Sequence, residues 1–255
     1  MSLVITAVAR TDVGRVRGRN EDAVLVDGVR GIAVVADGMG GHPAGNVAST
    51  LAAAAAVEEL RALLSGVSPE EDSPDGLGDG MARAVREADE RVRAAAEEDP
   101  SRRGMGTTLT AILVEPRSGR AVVGHVGDSR AYRLRSGSLE VLTKDHTWVQ
   151  EQVDAGRLTP EQARGHPYSS VLTQGVGLEN PAEPDVSMHE AEIGDVYLVC
   201  SDGLVGMVRD EWIEKLLVET LDRGLAAAAD ALVDAANRGG GLDNVSVALL
   251  EVRAL

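Results

Sequence analysis

Two unbroken apolar runs, Ile32-Ala33-Val34-Val35-Ala36 and Tyr197-Leu198-Val199-Cys200, each lead straight into a carboxylate and a glycine, in Asp37-Gly38 and Ser201-Asp202-Gly203. Runs of this length fit buried strands. A fold built around them must bring their acidic ends out of the core at a polar site. Two more acidic groups lie towards the ends of the chain: Asn20-Glu21-Asp22, and Asp243-Asn244 after Gly239-Gly240-Gly241. Together the four groups read as a divalent-metal site assembled from both ends of the sequence. Carboxylates beside glycine suit hard cations, which take oxygen ligands and need close backbone approach. Carboxylates gathered in one place need cations to neutralise them. A cation held there lowers the pKa of bound water and can clamp a phosphoryl group.

The rest of the chain supplies the frame. Leu3 to Arg10, Ala23 to Asp27, Thr107 to Val114, Arg120 to Val126, Ala131 to Arg135, Val196 to Cys200 and Val245 to Val252 read as strands. Apolar residues recur at helical spacing from Ala44 to Leu64 and from Met81 to Glu98. Thr147 to Ala155, a start at Thr159-Pro160, Asp210 to Leu221 and Leu225 to Asn237 also read as helices. Ser65 to Gly80, rich in Ser, Pro, Gly and acid, reads as a surface loop. Strands come in runs and helices in pairs, which is α+β and not the alternation of a parallel sheet. Two antiparallel sheets with helices outside would bury these patterns, as a single domain over 1–255 with no repeat or linker.

Composition narrows the function. The chain has 255 residues, a net charge of -16, no Phe and 2% aromatics. The charge argues against nucleic acid and anionic membranes, and the lack of aromatics against base stacking. Cys200 is the only cysteine, so an intrachain disulfide is excluded and a reducing compartment is expected. The N-terminus has no basic region before its apolar stretch, and Leu51 to Val57 is too short to span a bilayer. These features predict a cytoplasmic protein, and a monomer is expected.

Several residues carry two readings. Arg17, between Arg15 and Arg19, is either a surface arginine or a guanidinium fork for phosphate beside the metals. His42 either caps the helix that starts near Pro43 or acts as a general acid. Gly127-Asp128-Ser129-Arg130 is either a tight turn or a further carboxylate for the cluster. Other chemistries lack their residues. Position 206, six after Cys200, is glycine where a cysteine-based phosphatase needs arginine. A P-loop, His-Glu-x-x-His and Cys-x-x-Cys are all absent.

Seven segments, RGRNEDA, VADGMGGHPAGNVAS, MGTTL, VGDSRAY, TKDH, VCSDGL and DNVSV, stand in one order from Arg17 to Val247. In them the chain resembles the metal-dependent serine/threonine phosphatases of the protein phosphatase 2C type, in their short bacterial form. The resemblance implies an α/β/β/α sandwich of two antiparallel sheets flanked by helix pairs. It implies two Mn²⁺ or Mg²⁺ ions bridged by Asp37, with the Gly38 carbonyl on one and Asp202 and Asp243 on the other. Glu21 and Asp22 would bind or orient metal waters, Asp128 with Asp202 would serve a third, weaker metal, and Arg17 would bind phosphate. The stretch from Thr143 to Gly177 matches a mobile flap beside the site. Asn46 and Gln174 depart from the residues common in bacterial relatives, glutamate and arginine.

The implied function is hydrolysis of phosphoserine and phosphothreonine by a metal-bridging hydroxide, without a covalent phosphoenzyme. The partners would be phosphorylated proteins, substrates of serine/threonine kinases or a kinase itself. Two alternatives are an inactive member of the fold acting as a scaffold and a regulatory phosphatase for an anti-sigma antagonist. The first would have lost metal carboxylates, and none is missing.

Overall fold

A computed structural model describes residues 3–39, 44–65 and 76–255. The first sheet has the order β1-β10-β9-β6-β7, formed by β1 (Leu3–Asp12), β6 (Arg130–Arg135), β7 (Ser138–Val141), β9 (Val196–Cys200) and β10 (Val245–Ala254). The second has the order β2-β3-β4-β5-β8, formed by β2 (Asp22–Asp27), β3 (Ile32–Asp37), β4 (Leu109–Glu115), β5 (Arg120–Val126) and β8 (Asp185–Glu190). Every strand pair is antiparallel. Helices α1 (Gly45–Leu64) and α2 (Gly76–Glu98) cover the second sheet, and α6 (Asp210–Thr220) and α7 (Leu225–Arg238) cover the first. The expected helix, sheet, sheet, helix layering is what the chain forms.

The apolar runs are unbroken because both of their faces are buried. Successive side chains of a strand point to opposite faces. In β3, Ile32, Val34 and Ala36 pack under α1 and α2, while Ala33 and Val35 pack between the sheets. In β9, Leu198 and Cys200 face α6 and α7, and Tyr197 and Val199 face the other sheet. Burying one of the valine, leucine or isoleucine side chains among them contributes about 1.5–3 kcal/mol. A substitution on either face therefore costs core packing.

Three elements differ from the sequence expectation. Helix α2 begins at Gly76, so the end of the expected Ser65–Gly80 loop is helical; 66–75 lie outside the described residues. Gly80 fits there because a Cβ would come within 2.5 Å of a Leu63 methyl. The strands β7 and β8 were not expected. Both lie at sheet edges and are largely solvent-facing, so neither carries an apolar run. Between β7 and β8 the chain forms α3 (Trp148–Asp154) and α4 (Pro160–Arg164), the latter opened by a Thr159–Gln162 capping box. A four-residue helix α5 (Asp202–Val205) follows β9 directly. No helix among the described residues is long and apolar enough to cross a membrane.

Candidate metal centre

The acidic residues meet where β3 and β9 finish and β2 and β10 begin. Asp22 and Asp37 are register partners on adjacent strands. The Ser201 hydroxyl donates to Asp22 Oδ2 at 2.8 Å and accepts from the Ser246 amide at 2.9 Å, joining the two sheets at this point. The Asp37 amide donates to Thr108 Oγ1 at 3.0 Å, and its carbonyl accepts from the Thr107 hydroxyl at 2.8 Å. The backbone carrying Asp37 is thereby fixed.

Glycines allow the close approach. A Cβ on Gly38 would lie 2.4 Å from the Gly45 carbonyl oxygen and 2.6 Å from that of Glu21. One on Gly203 would lie 1.9 Å from the Asn244 carbonyl oxygen. Contacts this short exclude any other residue at either position.

The electrostatics follow from crowding charges in a buried place. Burial, with repulsion from Asp22, Asp202 and Asp128, pushes the Asp37 carboxyl well above the ordinary range. Burial pushes Asp22 up to about 6. Burial and then Asp243 raise Asp202, and burial, Asp202 and Asp145 raise Asp128 well above its usual value. Arg17 pairs with Asp243 at 2.6 Å and stabilises the charge on Asp202. One arginine does not balance this many carboxylates.

Two atoms test whether cations fit. Asp22 Oδ1 and Asp202 Oδ1 are buried with no hydrogen-bond partner. An unpartnered buried carboxylate oxygen is costly, and a cation satisfies it. Among the described residues no group of three or more Asp, Glu, His or Cys side chains could hold an ion alone. An ion of the magnesium type, which keeps several waters and uses one or two carboxylates, suits that arrangement. The residues fit hard divalent cations.

The structure thus gathers Arg17, Asp22, Asp37, Asp128, Asp202 and Asp243. Glu21 enters mainly through its backbone: its amide donates to Asn244 Oδ1 at 2.8 Å, and its carbonyl accepts from the Ser49 hydroxyl at 2.6 Å. Its carboxyl carbon lies close to Gly45, at the start of α1. His42 lies outside the described residues. Sequence reasoning missed the roles of Asn244 and Ser201. Asn244 also donates to the carbonyls of Val13 and Arg19, both at 2.9 Å, and so holds the Arg17 loop. Both sit inside quoted segments, DNVSV and VCSDGL, where a polar residue flanks a metal-type aspartate. A cleft of about 590 Å³ adjoins the cluster, and Asp128, Asp202, Asp210, Val149, Gln150 and Ala163 are among the residues that line it.

Comparison with known proteins gives one consistent match. The protein phosphatase 2C profile matches residues 15–235. The serine/threonine protein phosphatase PstP of Mycobacterium tuberculosis is 44% identical over 99% of this chain. The chain spans only 46% of that protein's length. The protein phosphatase PhpP of Streptococcus pneumoniae is 36% identical, with 95% of each chain covered. A crystal structure of the PstP catalytic domain with two manganese ions superposes with a TM-score of 0.83 at 42% identity, covering 99% of this chain and 100% of that one. The phosphatase Stp1 of Staphylococcus aureus gives a TM-score of 0.85 at 30% identity, covering 98% and 96%.

Proposed function

Since the chain belongs to the protein phosphatase 2C family, we propose that it is a metal-dependent phosphatase acting on phosphoserine and phosphothreonine in proteins. The observation that carries this reading is the pair of unpartnered buried oxygens, Asp22 Oδ1 and Asp202 Oδ1, beside Arg17. In this reading Asp37, the Gly38 carbonyl, Asp202 and Asp243 hold two Mn²⁺ or Mg²⁺ ions. Glu21 and Asp22 hold or orient water, and Asp128 with Asp202 serves a third, weaker position. Once bound, the ions supply a water made nucleophilic at neutral pH and positive charge for the phosphoryl oxygens.

The chain's own residues do the rest. Arg17 is 43% exposed and reaches the centre from a loop, so its fork can turn from Asp243 to an incoming phosphate. The Ser201 hydroxyl holds Asp22 in place. The cleft between Asp128 and the 143–177 flap gives the phosphorylated segment a seat, and the flap residues there set its sequence preference. The substrates are products of serine/threonine kinases, and a kinase itself is among the candidates.

The test is hydrolysis of p-nitrophenyl phosphate and a phosphothreonine peptide in EDTA, Mn²⁺, Mg²⁺ or Ca²⁺. Turnover is expected with Mn²⁺ or Mg²⁺ and none with EDTA. Hydrolysis that survives EDTA, or none with any ion, would overturn the reading.

A further inference from the structure

His146, from the TKDH segment, has no part in the chemistry above, yet it occupies both polar groups of Gly127, the residue before Asp128. The Gly127 amide donates to His146 Nδ1 at 3.2 Å. The His146 amide donates to the Gly127 carbonyl at 2.7 Å. The far side of the ring meets β8, where His146 Nε2 lies 3.1 Å from Asp185 Oδ2. The His146 carbonyl accepts from the Thr173 amide at 2.9 Å, and Thr147 bridges Leu172. One buried residue therefore ties together the Asp128 turn, the start of β8 and both stems of the flap.

The hydrogen bonds fix the tautomer. Nδ1 accepts a hydrogen bond from the Gly127 amide, so the ring's own proton sits on Nε2 and points to Asp185. Among the described residues Gly127 has no hydrogen-bond partner other than His146. Its φ is +110°, and a Cβ there would lie 2.6 Å from the side chain of Thr108. The other flank of Asp128 is held separately, by Thr108 on the Ser129 hydroxyl at 2.7 Å and Thr110 on its carbonyl at 2.9 Å. Asp128 thus stands between a rigid side and a side set by His146, and it faces the cleft that the flap residues Thr147 and Gln150 also line.

We propose that His146, in its Nε2–H form, is a positioning residue that couples the aim of the Asp128 carboxyl to the placement of the flap. The proposal rests on the reading that Asp128 serves the metal centre. The amide of asparagine can place its oxygen where Nδ1 stands, and that of glutamine reaches instead towards Nε2. His146→Asn should therefore keep the bond to Gly127, and His146→Gln should break it.

The experiment combines ring ¹⁵N spectra, amide exchange and kinetics on the full chain. The wild-type ring should show the Nε2–H form. His146→Gln should speed exchange at Gly127 and Thr173 and lower kcat on a phosphothreonine peptide by roughly 10- to 100-fold, with a smaller change in KM. His146→Asn should keep Gly127 protected and return most of kcat. Asp185→Ala removes an exposed partner, so its folding is not at risk, and it should shift the ring towards Nδ1–H and lower kcat in the same direction. An Nδ1–H ring in the wild type, equal effects of the two His146 variants, or an Asp185→Ala protein unchanged in both tautomer and kcat would each overturn the proposal. A wild type inactive on every phosphoester would overturn the phosphatase reading, and the spectra and exchange would still decide the coupling.

Discussion

Asp202 shows how far one carboxylate can be tested alone. Its Oδ1 is buried without a partner, and its neighbours repel it. Asp202→Asn removes a charge and keeps the shape. It should lower turnover by roughly 100-fold or more at saturating Mn²⁺, while the metal-free variant melts no lower than the metal-free wild type. Near-normal turnover would remove Asp202 from the ion site. A second residue predicts a pH effect away from the carboxylates. Burial, reinforced by His146, holds His125 down at about 4 from its ordinary 6.5. Below 6.5 the unfolded chain binds a proton that the folded chain refuses, so stability falls with acidification. The contribution is complete above pH 6.5, and its loss as pH drops to about 4 is on the order of 3 kcal/mol. Urea unfolding between pH 7 and pH 4.5 should show this slope in the wild type and a shallower one in His125→Gln. Equal slopes would mean that His125 titrates normally.

The 143–177 segment, proposed above as a flap, is the part of the chain with the least core to hold it. Of α3 and α4 only Val149 and Ala163 are buried. The small aromatic group of Trp148, His166 and Tyr168 packs within the segment itself. Amides of 150–170 should exchange faster than those of Val196–Cys200, whose strand is buried throughout. Replacing the flap by a relative's should change phosphopeptide preference and leave p-nitrophenyl phosphate turnover nearly unchanged. Equal loss on both substrates would make the flap part of the catalytic core. The same contrast explains what was legible in the sequence. The strands β3, β9 and β10 are buried on both faces, so their apolar runs announced them. The strands β7 and β8 are held by edge pairing, which leaves little trace in residue type. Asp37 and Asp202 were legible because the glycine after each marks a close backbone approach at the end of an apolar run. The partners of Asn244 and His146 were not, since hydrogen bonds across 225 and 19 positions follow from the fold alone.

At the scale of the whole molecule, the centre exists only when the chain is folded, because Arg17 meets Asp243 across 226 positions. Cations that bind the folded chain alone must stabilise it. Mn²⁺ at about a hundredfold excess over its Kd should contribute about 2.7 kcal/mol, or roughly 5–10 °C in Tm relative to EDTA. Asp202→Asn should lose most of that shift. If the variant keeps it, the ions are acting on the acidic surface instead, in keeping with the net charge of -16. The long pairing of β1 with β10 sets a geometry of its own. Asp12 pairs with Val245 next to the centre, and Leu3 pairs with Ala254 at the far end. Ten residues of antiparallel strand span about 30 Å. A peptide leashed to the Ala254 end therefore starts on the back of the molecule, and a flexible leash needs about 30 residues before its average reach returns to the cleft. Shorter leashes would present the peptide to neighbouring molecules, and the order of the reaction in protein concentration would report the difference.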